Sequence, residues 1–416
     1  MAKVLPFKGI RPSKERAATI AALPYDVYNR SEAEAVVAQN PDSFLAVDRA
    51  ETNFDSSVGT YDEVVYQKAH DLLWQWIEEG RFIQDDKPCY YLYQLTMDGR
   101  CQTGIVACSS IDDYEQGVIK KHENTRAEKE ADRIHHVDSC NAQTGPIFLA
   151  YRAQAKIDEL VNKITTENAP EYDFVADDGI GHRVFVINDD ADVDVLKNAF
   201  AEMNAIYIAD GHHRAASAVK VGQRRRAANP GYTGDEEFNY FLSVLFPDNQ
   251  LMIMDYNRVV KDLNGLSEDE FIDVIKSKMN VVKVGEVNGK PIAPTKKGQV
   301  SMTINGTWYL LEFKQVDRSD DPVDGLDVSI LQNVILNPVL GISDPKTDDR
   351  IDFVGGIRGL EELERRCNVD CKVAFAMYPT SIGELFAVAD AGRLMPPKST
   401  WFEPKLRSGL FIHALD

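Results

Sequence analysis

The sequence predicts an α/β to α+β protein of more than one domain, and three observations carry that expectation. Strand-like apolar runs alternate with helix-like stretches between about residues 110 and 255. Asp98-Gly99 and Asn305-Gly306 stand between apolar runs, as the tight turns of β-hairpins do. The 416 residues, 44% hydrophobic and 27% charged, have the composition of an ordinary globular chain. That length is enough for roughly two to three domains with well-filled cores.

Taken in order, Pro6-Phe7-Lys8-Gly9-Ile10-Arg11-Pro12 is too rich in Pro and Gly for a regular element, and Pro24-Tyr25-Asp26-Val27-Tyr28 reads as an extended loop. Ser31 is the expected N-cap of a helix to about Gln39, with Glu32 and Glu34 in its first turn. Over 60–80, Val64, Ala69, Leu72, Leu73, Trp76 and Ile77 recur at helical spacing and Gly80 ends the run. Strands at 89–97 and 101–109 flank Asp98-Gly99. Next come a charged helix at 125–136, a strand at 145–151, a helix at 155–166, a strand at 182–187 and a helix at 190–203. A strand at 205–210 and an apolar run at 238–246 complete the middle of the chain. Beyond it the patterns give a helix at 267–279, the Asn305-Gly306 hairpin and an acidic linker at 317–322. Helices at 326–336, 358–366 and 381–391 and a strand at 372–378 follow. The chain thus reads as an N-terminal α+β segment (1–110), a core (111–255), a small α+β segment (256–320) and a C-terminal α+β segment (321–416).

Charge and motif content exclude several function classes. A net charge of −20 argues against a nucleic-acid partner, whose affinity rests on phosphate neutralisation, but not against a small anion in a local basic pocket. No run approaches the roughly 18 apolar residues of a membrane span, and Met1 to Pro6 lack a signal-peptide core, so a cytoplasmic protein without a membrane partner is expected. The six cysteines form no CxxC pair and read as reduced thiols. GxxxxGK[ST], GxGxxG after an early strand, GxSxG and HExxH are all absent. His135 and His136, adjacent on a helix, read as ordinary helix residues, and Arg224-Arg225-Arg226 reads as a solvated helix end.

Chemistry concentrates in short turns. Ala205 to Ala209 reads as a buried strand that stops at Asp210-Gly211, and a helix follows directly. A strand, a tight turn and a helix N-terminus bring backbone N–H groups and the positive end of a helix dipole to one point, which suits a phosphate or carboxylate. Gly211, His212, His213 and Arg214 are the phosphate- or nucleotide-binding candidates there, and Asp210 is a catalytic candidate and a ligand for Mg2+. The second turn is Lys120-Lys121-His122-Glu123-Asn124-Thr125-Arg126. It reads either as a capped helix start, with Asn124 or Thr125 as cap and Glu128 in a capping box, or as a reactive turn. In the second case Glu123 is a general base, His122 assists it, and Lys121, Thr125 and Arg126 handle phosphate. Pro396-Pro397-Lys398-Ser399-Thr400 is either a rigid loop whose Trp401 and Phe402 pack inward or an anion cradle built from Lys398, Ser399 and Thr400. Tyr25 and Asp26 are assigned to the substrate.

The motifs PYDV at 24–27, KHENT at 121–125, DGHHR at 210–214 and MPPKSTWF at 395–402 together resemble the bacterial and archaeal domain-of-unknown-function family number 1015, often labelled ParB-like. The DGHHR turn also resembles that of free serine kinases of the ParB/sulfiredoxin superfamily. The order His122-Glu123, then Arg126 or Arg133 on the next helix, then Gly145-Pro146-Ile147 is similar to theirs. This second resemblance covers about 110–245 and implies a ParB/sulfiredoxin-like core with extra N-terminal and C-terminal segments. It implies ATP or ADP with Mg2+ as cofactors and a small hydroxy metabolite as acceptor, free L-serine first. Glu123 would then activate the acceptor hydroxyl, and Asp210, His212, His213 and Arg214 would bind phosphates, magnesium and substrate. A phosphatase of a phosphorylated metabolite such as phosphoserine and a non-catalytic nucleotide-binding protein are the alternatives. The resemblance leaves oligomeric state open.

Overall fold

The computed structural model describes residues 1–125 and 127–416, and the chain forms two compact units. The first comprises Met1–Leu251 with Pro404–Asp416, and the second Met252–Glu403. The four segments drawn from the sequence therefore regroup. Residues 1–110 and 111–255 feed one sheet, and the division near 320 falls inside the second unit.

The first unit is built on a 9-stranded mixed sheet. Its strands are β1 (Val4–Leu5), β2 (Tyr90–Met97), β3 (Arg100–Ser110), β4 (Ile119–Lys120), β5 (Ile147–Tyr151), β6 (Tyr172–Val175), β7 (Gly181–Ile187), β8 (Ile206–Asp210) and β9 (Tyr240–Pro247). The order is β4-β8-β5-β9-β3-β2-β7-β6, with β1 beside β3. β4 runs parallel to β8 and β5 parallel to β9; every other pairing is antiparallel. Asp98 and Gly99 both take positive φ, 51° and 77°, as a two-residue turn between twisted strands requires.

Five longer helices serve this unit: α1 (Glu63–Glu78), α2 (Ala127–Cys140), α3 (Ala155–Glu167), α4 (Asp190–Ala201) and α5 (His212–Ala228). Ile157, Leu160 and Ile164 of α3, Leu196 and Phe200 of α4 and Ala215, Ala218 and Val219 of α5 pack into one cluster with Leu92, Ile105, Leu149, Phe185, Ile208 and Leu245 of the strands. Burying such side chains stabilises by about 1.5–3 kcal/mol each. A second cluster joins Val65, Ala69, Leu73 and Trp76 of α1 to Phe44, Leu45, Cys140 and Ile412. The final residues complete this unit, because Ile10 and Ile412 exchange backbone hydrogen bonds and His413 pairs with Gln143.

The structure departs from the sequence reading near the N-terminus: Ile10–Pro12 forms a short strand paired with Phe82–Gln84, Tyr25–Val27 is a 3-10 turn and not an extended loop, and one cap differs. The helix expected from Ser31 spans Arg30–Gln39 and is capped by Asn29, whose side chain accepts from the Glu32 N–H while Glu32 bonds back to the Asn29 N–H. Ser31 instead donates to Asn29 Oδ1 at 2.8 Å. β6 and the short β4 carried no alternation long enough to read, and they form because neighbouring strands supply their partners.

The second unit has a six-stranded antiparallel sheet. Its strands are β10 (Tyr256–Val260), β11 (Asn280–Val284), β12 (Gln299–Ile304), β13 (Thr307–Glu312), β14 (Ile351–Gly355) and β15 (Val373–Met377), in the order β11-β13-β12-β15-β10-β14. Helices α6 (Glu268–Lys278), α7 (Glu361–Val369) and α8 (Ile382–Asp390) accompany it. The expected helix at 326–336 begins as Asp327–Leu331 and widens into a π-helical turn over Gln332–Leu336. Trp308, Val259 and Leu363 centre a core in which Trp308 Nε1 donates to Glu364 at 2.6 Å. All six cysteines are free thiols. Among the described residues no helix is long and apolar enough to cross a membrane.

Candidate functional site

β4 and β8 are parallel neighbours, with Ile119 opposite Ile206 and Lys120 opposite Tyr207, so the turns that follow them emerge at the same end of the sheet. Ligands of open α/β sheets collect at the carboxyl ends of such strands. After β8 the chain turns at Gly211, at φ 92° and ψ 32°, and α5 begins at His212. The left-handed conformation favours glycine, and a Cβ there would stand 3.2 Å from the Arg214 guanidinium. No side chain caps the N-terminus of the 17-residue helix α5, the kind of helix start that suits an anion.

The turn after β4 brings His122 and Glu123 to the same place. The His122 backbone N–H donates to Nε2 of His212 at 3.5 Å, and the two rings stand edge to face with centroids 4.4 Å apart. An Nε2 that accepts leaves the proton of a neutral His212 ring on Nδ1. Nδ1 lies 3.9 Å from a Glu123 carboxylate oxygen. Burial keeps both rings neutral, pushing His122 down to about 4 and His212 well below its ordinary value. His122 Nδ1 is buried without a hydrogen-bond partner among the described residues. The Glu123 side chain is 48% exposed.

Asp210 anchors the turn. Its carboxylate accepts the Gly211 N–H at 2.9 Å and pairs with the Lys405 ammonium at 3.2 Å. Packing around Asp210 works against its charge, but the Lys405 and Arg214 cations outweigh it and hold the carboxyl below the usual carboxylate range. Arg214 Nη1 donates to the Pro146 carbonyl at 2.7 Å. Among the described residues no three His, Cys, Asp or Glu side chains gather to hold a metal ion. Asp210 would give Mg2+ one or two oxygens, and phosphate and water oxygens would have to supply the rest of its shell.

A cleft over α2 is lined by Tyr25, Asp26, Asp48, Arg49, Glu51, Tyr66, Asp132, Arg133 and His136 among others, and no described residue of the Gly211 turn lines it. A second, much smaller space shares Tyr25, Asp48, Arg133 and His136 with it and reaches Thr144, Gly145 and Arg214. Tyr25 and Asp26 thus line a cleft, and Arg214 lines the smaller space.

The other sequence candidates are placed as follows. Lys121 is exposed, with its ammonium 4.6 Å from the Tyr114 ring centre. Thr125 donates its hydroxyl to Glu130 at 2.7 Å, and the Glu130 carboxylate also pairs with Lys220. His213 is half-buried at the start of α5. Arg126 lies outside the described residues. Lys398, Ser399 and Thr400 belong to the second unit, where Ser399 Oγ donates to the Pro396 carbonyl at 2.6 Å and Thr380 donates to the Ser399 carbonyl at 3.0 Å. Lys398 takes a positive φ of 56° there, and the neighbouring Phe402 is buried.

Sequence reasoning missed Asp48, Arg49, Glu51, His136 and Lys405 as lining or anchoring residues. Lys405 lies 195 residues from Asp210, and no local pattern signals such a partner. His136 was legible only as a helix residue, although its spacing from Arg133 puts both on one face of α2.

Fold and site define a mixed α/β protein with an uncapped strand-glycine-helix turn beside a carboxylate and a polar cleft. The chain belongs to the family described as "Protein of unknown function (DUF1015)", which matches residues 4–329. No curated protein matches it in sequence. Among solved structures it is similar to a free serine kinase variant in complex with AMP, at 13% identity and a TM-score of 0.36, covering 74% of this chain and 92% of that one. It is also similar to SbnI with C-terminal truncation from Staphylococcus aureus (11% identity, TM-score 0.37, 72% and 82% covered). A third is a conserved hypothetical protein from Pyrococcus furiosus (13% identity, TM-score 0.32, 74% and 94% covered).

Proposed function

We propose that the first unit is a nucleotide-dependent phosphotransferase acting on a small hydroxy-bearing metabolite, with free L-serine the first acceptor to test. One observation carries this reading. Glu123, a half-exposed carboxylate, lies 3.9 Å from the first residue of a helix whose N-terminus carries no side-chain cap. The α5 N-terminus and Arg214 would hold the phosphates of ATP or ADP. The acceptor hydroxyl oxygen would bond to the terminal phosphorus as the bond from phosphorus to the bridging oxygen breaks. Glu123 would take the hydroxyl proton, and the shortened nucleotide would leave. His212, neutral and with its proton on Nδ1, would orient Glu123 rather than compete as a base. The motif order from His122 to Ile147 supports reading this unit as a ParB/sulfiredoxin-like core.

Glu123→Gln tests the assignment, because a positioned base contributes about 10²–10⁴ in rate. Transfer to L-serine should fall by that range while ADP affinity stays within about threefold, a change of under 1 kcal/mol. A variant of unchanged rate, or one that loses ADP binding instead, would remove Glu123 from the role. Release of inorganic phosphate from phosphoserine without nucleotide would make the protein a phosphatase.

A further inference from the structure

We propose that the cleft over α2 is the acceptor site and that it selects a small carboxylate with a neighbouring amino or hydroxyl group, Arg133 gripping the carboxylate and Asp48 the donor. This rests on the phosphotransferase reading and adds to it a site and a class of ligand.

The case begins with an incompletely satisfied cation. Arg133 is only 8% exposed, and its Nε donates to Asp132 at 2.9 Å. Asp132 is in turn fixed by the Tyr66 hydroxyl at 2.9 Å, and the guanidinium lies 3.9 Å from the centre of the Tyr25 ring. The two terminal nitrogens, the outer edge of the fork, make no hydrogen bond among the described residues, and Arg133 lines the cleft. A guanidinium edge matches a carboxylate with two parallel hydrogen bonds, and a buried cation with unmet donors is costly.

Asp48 supplies the complementary half. It is 4% exposed, and one oxygen accepts the Thr144 hydroxyl at 2.8 Å. Its second oxygen accepts no hydrogen bond among the described residues, and Asp48 lines both spaces together with Arg133. His136 adds no charge, since burial pushes it down to about 4. Arg49 is already committed: it pairs with Glu51 at 2.6 Å and donates to the carbonyls of Tyr25 and Tyr28 at 3.1 and 2.6 Å. That pair holds the Tyr25 loop over the cleft and leaves Arg133 and Asp48 to face a ligand. The narrower space shares Asp48 and Arg133 with the cleft and also touches Arg214.

Calorimetric titration of the full chain tests this with L-serine and D-glycerate against serinamide and glycerol, which keep a hydroxyl but lack the carboxylate. The two carboxylates should bind, and the carboxylate-free pair should bind about 10- to 100-fold more weakly, the loss expected for a charged hydrogen-bonded pair. Arg133→Met should weaken L-serine by a similar factor and leave ADP affinity unchanged. If that variant does not fold, the wild-type comparison of carboxylate with amide decides. Equal binding of serinamide and L-serine, binding of neither carboxylate, or displacement of L-serine from the cleft by AMP alone would overturn the proposal. Arg133-dependent carboxylate binding without phosphate transfer would leave the cleft standing and remove the phosphotransferase reading. Transfer to glycerol with the KM of L-serine would do the reverse.

Discussion

In the first unit β4 and β8 run parallel as neighbours, whereas every strand pairing of the second unit's six-stranded sheet is antiparallel. Parallel neighbours send both of their outgoing turns to the same end of a sheet, and antiparallel neighbours send theirs to opposite ends. The Lys121–Thr125 and Asp210–Arg214 turns meet for that reason. In both units burial favours the uncharged form, on different groups. The first holds His122, His136 and His182 neutral, at about 4, 4 and 3, chiefly through burial. The second holds Asp327 protonated to about 6, because burial outweighs the hydrogen bond its carboxyl accepts from the Gly298 N–H at 2.8 Å.

The comparison can be broken most forcefully at Trp308, which is wholly buried in the second unit. Trp308→Ala should cost about 3–5 kcal/mol. Peptide-resolved hydrogen exchange should show lost protection in β12, β13 and β15, with ADP affinity retained. Loss of ADP binding would show that the second unit is not separable from the site.

The second test uses pH. A histidine whose folded pKa lies below the unfolded value of about 6.5 contributes stability above that pH, and the contribution is lost as pH falls toward the folded value. For His122 and His136 this means loss between about pH 6.5 and 4, at most about 3 kcal/mol each. Asp327 has the opposite sign, since its folded pKa is raised. Its contribution is present below about 3.8 and lost as pH rises through about 6. Exchange measured from pH 7 to 4 should therefore loosen the first unit before the second. Equal loosening of both would contradict the contrast.

The smallest effect is expected at Gly211. Gly211→Ala forces a left-handed conformation on a residue with a Cβ, at about 1–2 kcal/mol, and crowds Arg214. Stability should fall by that amount, and nucleotide affinity should fall further. A variant with wild-type ADP affinity would remove the turn from the phosphate site.

Legibility followed the range of the interaction. Asp98-Gly99 announced its hairpin because the turn residues and the conformation they must adopt are the same four-residue event. The strand ending at Asp210, the glycine and the helix after it were legible for a similar reason, as were Glu123 and His122 beside a helix start. The first cap was misread by two residues, since Asn29 and Ser31 both carry a capping side chain and only the backbone geometry chooses between them. Arg133 was visible as a helix residue, but nothing local showed that its outer nitrogens would face a cleft with Asp48.

By itself the sequence determined the local events: where strands stop, which residues turn, which helix faces are apolar and which short turns carry acid, base and phosphate-binding groups. These follow from backbone sterics, hydrogen-bond arithmetic and periodicity within a few residues. Only the tertiary structure decided that β4 lies parallel to β8, that Glu123 faces His212, that Lys405 pairs with Asp210 and that residues 404–416 return to the first unit. Those contacts join residues tens to hundreds of positions apart, and their energies exist only once burial has brought the partners together.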